Sequence, residues 1–221
     1  MRRDISWPVS LGATMLASLL LLTGCQTAYY KTMEKVGFHK RDLLVSRVEA
    51  ARDVQQEAKE QFQTALERFT EVLGFDGGDL EKKYNQLNKE YEKSESKAEA
   101  VRDRIASVED VARALFKEWE GELKEYSSDT LRRASQVKLD DTRQRYAQLI
   151  SAMKRAESKI DPVLSAFRDQ VLFLKHNLNA QAIASIQNEL VSVESDIASL
   201  IREMERSIGE ADSFIQAMLK E

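Results

Sequence analysis

The chain has 221 residues, of which eight are Gly, two Pro and one Cys, and 32% are charged. So few turn residues exclude a sandwich, barrel or Rossmann-like domain and predict long helices, while a 43% hydrophobic content excludes disorder. A net charge of −4 with interleaved signs gives no footprint for nucleic acid, and a single cysteine excludes an internal disulfide framework or a multi-thiolate metal site.

The first residues read as an address. Arg2 and Arg3 form a positive n-region, and Val9 to Leu22 supply an apolar stretch shorter than the roughly 20 residues that a membrane-spanning helix needs. Leu22-Thr23-Gly24-Cys25 then matches the bacterial lipobox, an aliphatic residue and small residues ending in the cysteine to be lipidated. The only thiol of the chain stands at that position. Residues 1–24 are therefore expected to be removed as a lipoprotein signal peptide, with Cys25 acylated. The competing reading is an uncleaved anchor helix with an incidental cysteine. Gln26 replaces the Asp that would retain the chain at the inner membrane in many Gram-negative bacteria. The expected location is thus the outer membrane, facing the periplasm. Cleavage takes two Arg and one Asp from the 33 basic and 37 acidic residues, leaving 31 and 36, a net of −5. Such a body has little electrostatic reason to lie on anionic lipid. Residues 25–37, with Tyr29-Tyr30-Lys31, read as a membrane-proximal spacer.

From residue 38 onward apolar residues recur at heptad spacing in four segments, placed at about 38–73, 79–126, 130–176 and 180–219. In the first, Leu44, Ala51, Ala58, Ala65 and Val72 form one row and Val48, Gln55, Phe62 and Phe69 another. In the second, Leu80, Leu87, Ser94, Val101, Val108 and Leu115 run beside Tyr84, Tyr91, Ala98, Ile105, Ala112, Trp119 and Tyr126. The third carries Leu139, Tyr146, Met153, Ile160, Phe167 and Leu174, and the fourth Ile183, Leu190, Ile197, Met204, Ala211 and Met218. Turns are expected at Gly74-Phe75-Asp76-Gly77-Gly78, with Asp79 capping the next helix, at Ser127-Ser128-Asp129, and at His176-Asn177-Leu178-Asn179. Pro162 reads as a kink in a helix that continues, because Ile160 and Phe167 stay in register across it.

The expected fold is all-α: an elongated antiparallel four-helix bundle or coiled coil, about 60–70 Å long at 1.5 Å per residue. Splayed helical hairpins are the alternative. In such a bundle the turns at 74–79 and 176–180 lie at the pole away from the N-terminus.

Chemistry is sparse. His39 and His176 lack metal-ligand spacing, and no zinc-protease, nucleophile-elbow or phosphate-loop motif occurs, so neither catalysis nor a metal is expected. Asp76-Gly77-Gly78-Asp79 lacks the oxygen array of a calcium loop and reads as a tight turn. The Tyr84, Tyr91, Trp119 and Tyr126 series reads as core packing. Val171-Leu172-Phe173-Leu174 cannot all face one seam. Leu172 and Phe173 belong either to a wider buried face or to an exposed patch that docks a partner or another copy, with Asp76 and Gly77 in the neighbouring loop.

Three strings in the mature chain resemble a family of uncharacterised proteobacterial lipoproteins, DUF2959. They are Tyr29-Tyr30 through Lys40-Arg41-Asp42, then Phe75-Asp76-Gly77-Gly78-Asp79-Leu80, and then Phe167 through Asn179. The resemblance implies a lipoprotein of coiled-coil character and supplies no catalytic residue. The functional expectation is a non-enzymatic envelope scaffold or adaptor. It has no cofactor beyond the lipid on Cys25, no small-molecule substrate, and an envelope protein or itself as partner. The alternative is a self-assembling membrane-stress or membrane-shaping protein, which the mature charge disfavours.

Overall fold

The computed structural model describes residues 40–73, 79–177 and 180–220. The chain divides into two units, Met1–Leu43 and Leu44–Glu221. Of the first, only residues 40–43 are described, and they form the opening turn of a helix. All that follows concerns the second unit.

Five helices are described: α1 (Lys40–Leu73), α2 (Leu80–Glu122), α3 (Asp129–Ser158), α4 (Ile160–His176) and α5 (Ala180–Lys220). The heptad rows explain why they pack. Leu44, Ala51, Ala58, Ala65 and Val72 are all buried in α1, as are Val48, Phe62 and Phe69 in the companion row. The same holds for Leu87, Val101 and Val108 in α2, Leu139 and Met153 in α3, Phe167 and Leu174 in α4, and Ile197, Met204 and Ala211 in α5. Small and large residues alternate along α1, which lets neighbouring backbones approach while Phe62 and Phe69 fill the space between.

Cross-helix pairs fix the direction of each neighbour. Glu57 meets Lys97 and Gln61 meets Glu90, so α2 runs antiparallel to α1. Arg52 meets Asp212 and Gln55 meets Ser207, so α5 does too. Lys154 meets Glu109, and Arg155 meets Glu203, placing α3 antiparallel to α2 and α5. With α4 extending α3, the arrangement is an up-down-up-down four-helix bundle, with no strand among the described residues. The rings of Phe69 and Phe167 stack in its interior, with centroids 4.4 Å apart and an interplanar angle of 2°.

Two element boundaries differ from the sequence expectation. The second helix ends at Glu122 and not at 126. Lys124 and Glu125 turn their N–H groups to the Gly121 and Glu122 carbonyls, three residues back, and Ser128 Oγ then accepts from the Leu131 amide to open α3 at Asp129. The third segment is two helices and not one kinked helix. It breaks at Lys159, whose N–H turns to the Ala156 carbonyl. Pro162 falls in the first turn of α4, where its missing N–H leaves no helical bond unmade. Because the break is a single residue in helical conformation, Ile160 and Phe167 both remain fully buried. Asp79 caps α2 as expected, its Oδ1 accepting from the Lys82 amide at 3.1 Å.

Candidate functional site

Along most of the bundle, polar side chains that enter the seam are satisfied internally. Gln55 occupies a core row and is fully buried. Its Oε1 accepts from the Ser207 hydroxyl at 2.7 Å, and Ser207 is equally buried. Thr142 returns its hydroxyl to the Lys138 carbonyl, and Ser94 donates to the Glu90 carbonyl. Glu90 is nearly buried, and burial alone raises its pKa. Hydrogen bonds from Lys93 Nζ at 2.8 Å and Gln61 Nε2 at 2.9 Å outweigh that cost, so the carboxyl titrates below its usual range. These bonds hold the helices in register, although the buried Gln55 Nε2 is left without a hydrogen-bond partner.

The aromatic series of α2 departs from the expected core. Tyr84, Tyr91 and Trp119 are half-buried and Tyr126 is exposed, while Leu87, Val101, Ile105 and Val108 take the interior. Their polar tips account for this edge position. Tyr91 Oη donates to Glu95, and Trp119 Nε1 donates to Ser135 Oγ at 2.8 Å, bonding α2 to α3. Further along the same seam Tyr146 meets Phe116 edge-on at 5.4 Å, with the Arg143 guanidinium over the Phe116 ring. Burial, reinforced by the Glu109 carboxylate, pushes the Tyr146 phenol up to about 12.

Of the candidate site residues, Cys25, Asp76 and Gly77 lie outside the described residues. Leu172 and Phe173 are 42% and 39% exposed. Their neighbours Val171 and Leu174 are buried, so the apolar run splits between a core face and a solvent face. This exposure decides between a wider buried face and a surface patch in favour of the patch. Phe173 also borders a groove of about 320 Å³ between α4 and α5, lined by Asp169, Gln170, Phe173, Ser185, Ile186 and Glu189. Sequence reasoning missed the polar members of this groove. Gln170 offered a faint signal, since it stands three residues after Phe167 and so on the inner side of α4.

No group of three or more His, Cys, Asp or Glu residues among the described residues is arranged to hold a metal ion. No described helix is long and apolar enough to cross a membrane. The sequence profile of a family described as "Protein of unknown function (DUF2959)" matches residues 29–218. The chain belongs to the DUF2959 family. The match spans every described helix but for the last residues of α5, so the bundle with its α4–α5 groove lies within the family's domain. No curated protein matches the chain.

Proposed function

We propose that this DUF2959 protein is a non-enzymatic, lipid-anchored helical scaffold or adaptor of the bacterial outer membrane, facing the periplasm. The observation that carries the reading is Leu22-Thr23-Gly24-Cys25, a lipobox that holds the sole thiol of the chain, behind a positive n-region and a short apolar stretch. Gln26 after the cysteine favours the outer membrane. A helical body with an exposed apolar patch, Leu172 and Phe173, supports the adaptor reading. The part of α1 from Leu44 to Leu73 is about 45 Å long at 1.5 Å per residue. The Leu172 and Phe173 patch sits near the end of α4, and the antiparallel order puts that end beside the C-terminal end of α1, away from Leu44.

The test is a Cys25→Ala variant expressed in the native host with labelled palmitate. Wild-type chain is expected to take up label and to fractionate with the outer membrane. The variant is expected to take up none and to leave that fraction. Label-free wild-type chain, or a variant that stays in the outer membrane, would overturn the tether.

A further inference from the structure

The α4–α5 groove differs from the rest of the bundle in its charges. The antiparallel register set by Arg155 and Glu203 continues along the two helices and brings Asp169 opposite Glu189. Where that register elsewhere pairs opposite charges, here it sets two exposed carboxylates across one groove. Neither is in an ion pair within the described structure. From Ala180 to Ile201, α5 carries Glu189, Glu194 and Asp196 and no basic residue to neutralise them. Between the carboxylates lie two apolar side chains, the partly exposed Phe173 and the buried Ile186.

A second observation is independent of the acids. Gln170 borders the groove and is only 6% exposed, and its Oε1 is buried with no hydrogen-bond donor. An unmade bond at a buried acceptor costs about 1–3 kcal/mol. Gln55 Oε1 has the Ser207 hydroxyl as donor, and Glu203 Oε2, though without a hydrogen bond, faces the Arg155 guanidinium at 3.5 Å, whereas Gln170 Oε1 has neither. The groove thus combines a desolvated acceptor, two unneutralised carboxylates and an apolar floor. A ligand that satisfies all three has several N–H donors, a positive charge and apolar flanks.

The geometry points to the groove as a docking site for a peptide segment of a partner protein, in which an arginine is flanked by apolar residues. The guanidinium presents five donors in a planar fork, so it can serve a carboxylate and, once the Gln170 side chain turns outward, its amide oxygen as well, and it is more weakly hydrated than an ammonium. The flanking apolar residues cover Phe173 and Leu172. Among the described residues, an exposed leucine beside arginine occurs at Leu131-Arg132-Arg133, with Leu131 58% exposed. That segment opens α3, at the opposite end of the bundle from the groove. Two copies tethered to one membrane through the end where Leu44 lies hold these surfaces apart, so the occupant is a different protein. This step rests on the proposed tether; the chemistry of the groove does not.

The experiment uses the full lipidated chain in detergent, with isotope-labelled isoleucine methyl groups and Ile186 as the reporter. The probe is the tripeptide acetyl-Leu-Arg-Leu-amide, with the Leu-Glu-Leu peptide as its control. The arginine peptide is expected to shift the Ile186 methyl saturably, and the glutamate peptide to leave it in place. Asp169→Asn with Glu189→Gln changes exposed groups only, so the variant folds, and it is expected to bind about tenfold more weakly. Gln170→Leu removes the orphaned acceptor and is expected to weaken the arginine peptide while leaving the fold at least as stable. Equal response to both peptides, no response to either, or full affinity in the double variant would overturn the proposal. So would an Ile186 shift that grows with protein concentration alone and vanishes in Leu131→Asp, which would assign the groove to a second copy. Peptide binding is read in detergent, and a failure of the tether appears only in the Cys25→Ala fractionation, so the two fail separately.

Discussion

The body of the bundle and the tip of its α2–α3 hairpin carry the same kind of sequence and come to different ends. In the body, heptad residues from α1, α2, α3, α4 and α5 close on one another, and Phe62, Phe69, Phe167 and Ile197 are sealed from solvent. At the tip, after Phe116 and before Leu139, Leu123 is the one buried residue, while Leu131 and Val137 are 58% and 68% exposed. The register explains the boundary. The Arg155–Glu203 pair sets the Lys220 end of α5 level with about residue 138 of α3, which the Trp119–Ser135 bond places beside about residue 116 of α2. Past that level, among the described residues, α2 and α3 are left to cover each other, and one seam cannot hide both faces of an apolar pattern. What buries a residue here is the number of helices at its level, beyond its own heptad position.

The largest test of this contrast pairs Phe167→Ala with Leu131→Ala. Phe167 is fully buried and stacked on Phe69, so its truncation is expected to cost about 3–5 kcal/mol in urea unfolding. Leu131 is expected to stay within about 0.5 kcal/mol of wild type. A comparable loss at Leu131 would mean that something covers the tip.

Polar groups sharpen the same comparison. Ser207→Ala strips Gln55 Oε1 of its donor in the sealed body and is expected to cost about 1–3 kcal/mol. The double variant Gln55→Leu with Ser207→Ala is expected to recover most of it. At the tip, Ser135→Ala removes the acceptor of the half-buried Trp119 Nε1, where water can substitute, and less than about 1 kcal/mol is expected. Equal losses at the two sites would break the distinction.

The smallest effect concerns the junction between the two regions, where Tyr146 packs on Phe116. Its folded pKa of about 12 lies above the ordinary value for a phenol, about 10, so the fold prefers the neutral form. That preference is complete below about pH 10 and is lost as pH rises towards 12. Between those values wild type is expected to lose about 1–2 kcal/mol more than Tyr146→Phe, after allowance for its partial exposure, as read by unfolding at a series of alkaline pH values. Identical pH profiles would show the phenol to be solvated.

Much of the fold was legible because heptad spacing is a local signal. Leu44 through Val72 and Leu139 through Leu174 could be assigned to seams by counting residues, and Asp79 could be named as a cap from its type and place. The helix boundary at Glu122 was not legible, because Ser127-Ser128 marks where α3 is capped and not where α2 stops. Nor was the break at Lys159, which Pro162 announces only indirectly, since proline suits the first turn of a new helix as well as a kink. Of the candidate site, Leu172 and Phe173 were visible as an apolar run too wide for one seam. Asp169 and Glu189 were not, since two acids twenty residues apart among many others carry no mark until a register sets them face to face.

The sequence alone therefore determined the helical class and the seam positions, because periodicity depends on neighbours along the chain. Among the described residues, only the tertiary structure decided which aromatics stay at the edge, where α2 and α3 are left as a hairpin, and which charges have no counter-ion. Those outcomes depend on which helices lie side by side and at what level, and each helix carries only half of that information.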